Sequence, residues 1–254
     1  MPTVHVNDID IYYEIHGEGE PLLNILGASM NIAAFSMPKM IRLLAKHYKV
    51  IAFDHRGMGR SSNPDTPYNM ETLARDTLGL MDALDIRKAH IVGGSMGGCV
   101  AQLIAAEHPE RVNGLVLHGT ACRYALRMRI LVGLIVNIPF LRRRSIKMAD
   151  MIFKEPYPPT EDSYLFQTTM GVGFDCRHLL GRITAPTLVI GMTHDQFVPM
   201  KFTRELAEGI RGSQLEWIEG DHLFLFTEPE RVTRPMLKFL AEVDAKTAEK
   251  MKNR

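Results

Sequence analysis

Gly93-Gly94-Ser95-Met96-Gly97 fits the pattern G-x-S-x-G, and it stands between an apolar run at 89–92 and a helical segment through about Glu107. Placement carries more weight than the bare pattern, which is common by chance. A tight strand-to-helix turn lifts the serine hydroxyl above a sheet. Glycines flank it where the backbone is strained and neighbouring elements pack closely. The helix beyond it points free N–H groups at developing negative charge. The bland alternative is a glycine-rich βα turn without chemistry.

Outward from this turn, short apolar runs alternate with helical patterns. Residues 9–15, 22–26, 50–53, 89–92 and 114–117 read as strands, and 35–47 and 70–84 as helices. The alternation stops at 122 and resumes near 183, with strands at 187–190 and 215–218 and helices at 201–210 and 231–243. Such alternation predicts a mostly parallel sheet with helices on both faces. One α/β core, residues 1–121 and 183–254, is thus interrupted by an insertion at 122–182. The polar tail, 244–254, is expected to fray.

Composition narrows the function. The 254 residues are 46% hydrophobic and 23% charged, a globular balance that needs no disulfides. Net charge is +1, which argues against a globally basic nucleic-acid binder. Cys99, Cys122 and Cys176 cannot form a paired framework, and no Cys/His cluster has metal spacing. Reduced thiols, a cytoplasmic location and no metal or cofactor are the expectations. The start lacks the basic and apolar regions of a signal peptide. The longest apolar stretch, 130–141, falls short of the roughly 20 residues that span a bilayer.

A serine hydroxyl is a weak nucleophile. It needs a base, and the base needs an orienting carboxylate. The strand at 187–190 is followed by a loop containing His194-Asp195, and the strand at 215–218 by Asp221-His222. Ser95, Asp195 and His222 therefore stand at strand ends in the order Ser, Asp, His. Asp195 alone could cap a helix, His222 alone could be a satisfied loop histidine, and His194 and Asp221 are rival neighbours. His55 and His118 also lie near strand ends, where they could line a pocket or serve structure.

At this point the chain resembles the α/β-hydrolase superfamily, and more closely its small serine esterase and 3-oxoadipate enol-lactonase-like branch. The resemblance runs from about Ile11 to Leu240. It rests on Asp54-His55-Arg56-Gly57-Met58-Gly59-Arg60-Ser61-Ser62, similar to the family's D-x-R-G-x-G-x-S loop, and on Ser95-Met96-Gly97-Gly98. His108-Pro109-Glu110-Arg111-Val112, the acid loop from Gly191 to Pro199 and the histidine loop from Asp221 to Pro229 extend it. The resemblance implies an eight-stranded, mostly parallel sheet with a short helical lid at 122–182. It implies Ser95 as nucleophile, His222 as base and Asp195 as acid. Oxyanion donors would be the N–H groups of Met96 and, by position, Ala28 in Leu26-Gly27-Ala28-Ser29. The branch usually carries His-Gly where this chain has Leu26-Gly27.

The implied activity is serine-dependent hydrolysis of a carboxylic ester, lactone or thioester with a small acyl or aromatic group. Dehalogenases and epoxide hydrolases of the superfamily use an Asp nucleophile, which Ser95 opposes. Carbon–carbon bond hydrolysis, a perhydrolase side activity and a non-catalytic receptor that reuses the pocket are the alternatives.

The insertion is strongly basic. From Arg123 to Lys154 it carries Arg123, Arg127, Arg129, Arg142, Arg143, Arg144, Lys147 and Lys154 against Asp150 alone. Leu126, Met128, Ile130, Leu131, Val132, Leu134, Ile135, Val136 and Ile138 are interleaved. Three readings stand. The apolar side could roof the pocket. The basic run could dock an anionic carrier such as acyl carrier protein or coenzyme A. It could instead meet an acidic membrane surface. Arg142-Arg143-Arg144 could also hold a substrate carboxylate.

Overall fold

The structure, a computed structural model, describes residues 2–34, 37–64, 66–153, 156–223 and 227–252, with side chains except at 149–153 and 172. Phe35, Lys154 and the Asp150 side chain therefore lie outside the described residues. Eight strands form one sheet: β1 (Thr3–Val6), β2 (Ile9–His16), β3 (Pro21–Ile25), β4 (Lys49–Phe53), β5 (Ala89–Gly94), β6 (Val112–His118), β7 (Thr187–Met192) and β8 (Gln214–Ile218). Their spatial order is β1-β2-β4-β3-β5-β6-β7-β8. β1 and β2 pair antiparallel, β2 joins β4 antiparallel, and the rest are parallel.

Parallel strands covered on both faces are buried along their length, as β5 and β7 are. Alternate residues then feed opposite cores. Leu22, Val50, Val92, Val116 and Leu188 meet α1 (Met37–Leu44) and α8 (Pro229–Lys252) on one face. Leu23, Ile51, Ile91, Leu115 and Val189 meet α2 (Met70–Ala83), α3 (Met96–Glu107) and α7 (Met200–Gly209) on the other. Asn69 caps α2 by accepting the Thr72 N–H.

Between β6 and β7 the chain leaves the sheet as α4 (Leu126–Asn137), α5 (Pro139–Phe153) and α6 (Glu161–Met170), followed by two 3-10 turns. It returns where it left, since the Cys176 N–H donates to the Cys122 carbonyl at 2.9 Å. All three cysteines are buried and free.

Two expectations need correction. The tail does not fray at 244, because α8 continues to Lys252. Asp244 accepts hydrogen bonds from Tyr48 Oη at 3.0 Å and His90 Nε2 at 2.8 Å, which anchors the helix beyond its last buried apolar residue, Val243. The apolar residues of α4 do not turn inward as a set. Val132 is its buried residue, while Leu126, Ile130, Leu131 and Leu134 are exposed. α4 turns Val132 and Met128 towards the protein and leaves the aliphatics of its other side outside. No helix among the described residues is long and apolar enough to cross a membrane.

Candidate active site

The turn after β5 fixes Ser95. Its φ is +51°, in the left-handed region where a residue with a Cβ is strained. The turn is held by the Ser95 N–H on the His118 carbonyl and the Gly98 N–H on the Ser95 carbonyl, both at 3.0 Å. Gly97 is a packing necessity. A Cβ there would lie 2.2 Å from the Ile25 carbonyl oxygen and 2.5 Å from that of Leu26. This close approach brings the loop after β3 against the elbow: a Cβ on Gly27 would sit 3.4 Å from Ser95 Cβ. Ser95 is the N-cap of α3, so the helix dipole points at the space beside its hydroxyl.

The loops after β7 and β8 are tied to each other by the Thr193 N–H on Ile218 O at 3.1 Å and the His194 N–H on Gly220 O at 2.9 Å. They deliver Asp195 and His222. Asp195 Oδ1 accepts the Phe197 and Val198 N–H groups, each at 2.8 Å. Its Oδ2 accepts His222 Nδ1–H at 2.7 Å. With Nδ1 committed to the carboxylate, Nε2 faces Ser95 Oγ at 3.3 Å. Asp195 is buried, and His222 retains a small opening to solvent. Phe197 lies against the imidazole, with ring centres 5.2 Å apart. The rival His194 bonds Thr193 instead, and Asp221 is exposed.

Two small cavities border Ser95, each with room for about one water molecule. One is lined by Thr120, Ala121, Tyr124, Phe197 and Phe202 among others, the second by Leu26, Met30, Met37, Met40 and His118. His118 thus does line a pocket. Burial pushes its pKa down to about 3, and the neighbouring His222 adds to that. Burial likewise holds His55 at about 4, and its Nε2 donates to the Leu26 carbonyl at 3.3 Å, at the start of the loop after β3.

Arg142, Arg143 and Arg144 line neither cavity. Arg142 pairs with Glu161 at 2.9 Å, and Arg143 and Arg144 are exposed on α5. The structure therefore does not bring the triplet to Ser95. No group of three or more His, Cys, Asp or Glu side chains that could hold a metal occurs among the described residues.

The family model of the alpha/beta hydrolase fold matches residues 15–147. The chain belongs to the α/β hydrolase family. Among its relatives, a protein of Azorhizobium caulinodans named, provisionally, a carbamate hydrolase is 31% identical, over 96% of this chain and all of the other. The chain superimposes on the enol-lactonase of Burkholderia xenovorans LB400 with a TM-score of 0.80 at 26% identity, covering 94% of this chain and all of that one. It superimposes on a thermophilic esterase from Thermogutta terrifontis with a TM-score of 0.80 at 26% identity, covering 96% and 99%.

Sequence reasoning missed Gln167. This buried α6 side chain accepts the Ser29 N–H at 2.6 Å and so braces the loop that carries Ala28. The motif gives no role for Asp54. Its carboxylate accepts the Ile32 and Arg60 N–H groups at 2.8 and 2.9 Å, closing the other end of the same loop.

Proposed function

We propose that this α/β hydrolase cleaves a carboxylic ester, lactone or thioester through an acyl-enzyme on Ser95. The observation that carries the reading is the continuous path from Ser95 Oγ through His222 Nε2 and Nδ1 to Asp195 Oδ2, with steps of 3.3 and 2.7 Å. Ser95 Oγ attacks the carbonyl carbon as His222 Nε2 takes its proton. Asp195 fixes the tautomer and stabilises the imidazolium. The N–H groups of Met96 and Ala28 receive the oxyanion. His222 then protonates the leaving group. In the second half it draws a proton from water, hydroxide equivalent attacks the acyl carbon, and the proton returns to Ser95 Oγ.

The two small cavities that border Ser95 are predominantly apolar, and such linings favour aliphatic or aromatic groups over sugars. Relatives named as an enol-lactonase and an esterase support a carbonyl substrate with an oxygen leaving group. Residues 122–182 act as the lid, because α6 reaches the oxyanion loop and Tyr124 lines the cavity beside Ser95.

The test is hydrolysis of p-nitrophenyl esters with acyl chains of two to twelve carbons, wild type beside Ser95→Ala. Turnover that disappears in the variant supports the reading, and the best chain length sizes the acyl side. A wild-type chain that neither turns over any ester nor becomes labelled at Ser95 by a fluorophosphonate overturns it.

A further inference from the structure

The outer face of the α4–α5 hairpin combines two properties that a solvated surface does not need. It is apolar: Leu126 and Phe140 are each 69% exposed, and Ile130, Leu131, Leu134, Ile138 and Met148 are exposed with them. It is also basic. Residues 126–148 contain Arg127, Arg129, Arg142, Arg143, Arg144 and Lys147 and no acidic residue. At 100° per residue, Leu126, Ile130, Leu134 and Ile138 fall on one side of α4, with Arg127 and Leu131 beside them. Isolated exposed leucines are ordinary, but a contiguous apolar face on one hairpin marks a contact surface.

We propose that this face docks on an anionic bilayer surface, with the α4 aliphatics and Phe140 in the headgroup–acyl boundary and Arg143, Arg144 and Lys147 on the lipid phosphates. Charge complementarity selects this occupant. A second copy of the chain, in a two-fold contact, would bring a second set of basic residues to the same interface, with no acidic residue in 126–148 to meet them. A folded acidic partner would match the arginines, yet would cover large aliphatics with polar surface. An anionic bilayer satisfies both, offering apolar depth below a negative plane. α4 has 12 residues, too few to span, so the helix lies along the interface.

The geometry also couples this surface to the pocket. Tyr124 and Ala125, which lead directly into α4, line the cavity beside Ser95, and Met128 packs against the cluster of Ala121, Ala125 and Phe202. A bilayer under α4 would hold that cavity near lipid-dissolved esters.

The experiment is co-sedimentation of the full chain with vesicles of pure phosphatidylcholine or of phosphatidylcholine with one quarter phosphatidylglycerol, at low and half-molar salt. It needs no turnover, so its outcome is independent of the proposed reaction. Binding is expected on the mixed vesicles at low salt, and about 100-fold weaker on neutral vesicles or at high salt, at about five-fold for each of Arg143, Arg144 and Lys147. Arg143→Gln with Arg144→Gln should weaken binding about 25-fold, at about five-fold per basic residue. Ile130→Glu with Leu134→Glu should abolish it while circular dichroism stays unchanged. Absence of binding overturns the proposal. So does binding that is indifferent to lipid charge, or a wild-type dimer that the Ile130→Glu/Leu134→Glu chain cannot form.

Discussion

Gln167 Oε1 accepts the backbone N–H of Ser29 at 2.6 Å, across 138 residues of sequence. Ser29 itself has a φ of +60°, so the loop after β3 holds a strained turn that α6 stabilises from above. The segment outside the sheet thus helps to shape the loop that packs against the Ser95 turn.

Removing that acceptor is the direct check. Gln167→Ala leaves a buried N–H unpaired, which costs about 1–3 kcal/mol of stability. The Ala28 N–H shifts with its loop, so kcat should fall by about ten-fold, less than the 10²–10³ of deleting an oxyanion donor. Urea unfolding measures the first effect and steady-state kinetics the second. Unchanged kcat with lowered stability would make Gln167 purely structural.

Asp195→Asn should keep the fold and lower kcat by about 10⁴-fold, because the amide allows the wrong imidazole tautomer to face Ser95. The two N–H bonds to Phe197 and Val198 reach Oδ1 rather than Oδ2, so the loop retains its anchor. The measurement is kcat alongside the melting temperature of the variant.

Arg56 and Asp76 form a buried bidentate pair, with Nε–Oδ2 at 2.5 Å and Nη2–Oδ1 at 2.8 Å, both side chains almost fully enclosed. Asp76→Ala would leave the buried Arg56 with the exposed Asp8 carboxylate, 2.8 Å from its Nη2, as its remaining ion-pair partner, and should cost up to about 3 kcal/mol. Denaturant unfolding reads it directly, and kcat per folded molecule should change little.

Stability should also fall as pH drops from about 6.5 towards 4. His55 and His118 are kept neutral in the fold, with pKa values of about 4 and about 3, against 6.5 when unfolded. In that window the unfolded chain binds more protons than the folded one, so protonation favours unfolding, and above it neither histidine contributes. The depressed carboxylates, Asp8, Asp175 and Glu230, add their loss only near and below their ordinary values of 3.8 and 4.5. Melting temperatures between pH 5 and 6.5 should therefore show a positive slope that His118→Gln reduces.

The sheet was legible because its central strands are short runs of buried aliphatics separated by glycine-marked turns. β1 was not, since Thr3–Val6 is a four-residue edge strand with one buried position. The continuation of α8 was illegible for another reason. Its polar residues read locally as a loose tail, and the bonds from Tyr48 and His90 to Asp244 join positions more than 150 apart. Ser95, Asp195 and His222 could be found because each follows a strand and the three chemistries complement one another. Gln167 carried no such signal, as its partner is a backbone N–H far away. The outward face of α4 was not legible, because its aliphatics run consecutively at 130–132 and 134–136, a pattern that does not say which side faces out.

The meeting of Cys122 and Cys176 gives the molecule a seam. Both residues are buried, and the carbonyl of one receives the N–H of the other beside Gln102, whose Oε1 accepts from the Cys176 thiol at 3.2 Å. Everything between these two points enters and leaves through a gap one hydrogen bond wide. The sheet that carries Ser95, Asp195 and His222 is therefore a frame, and the span from 123 to 175 an attachment that reaches back to it through Gln167 and Ser29. Splicing a span of different length between the same two cysteines would alter what reaches Ser95 without altering the strands that hold it.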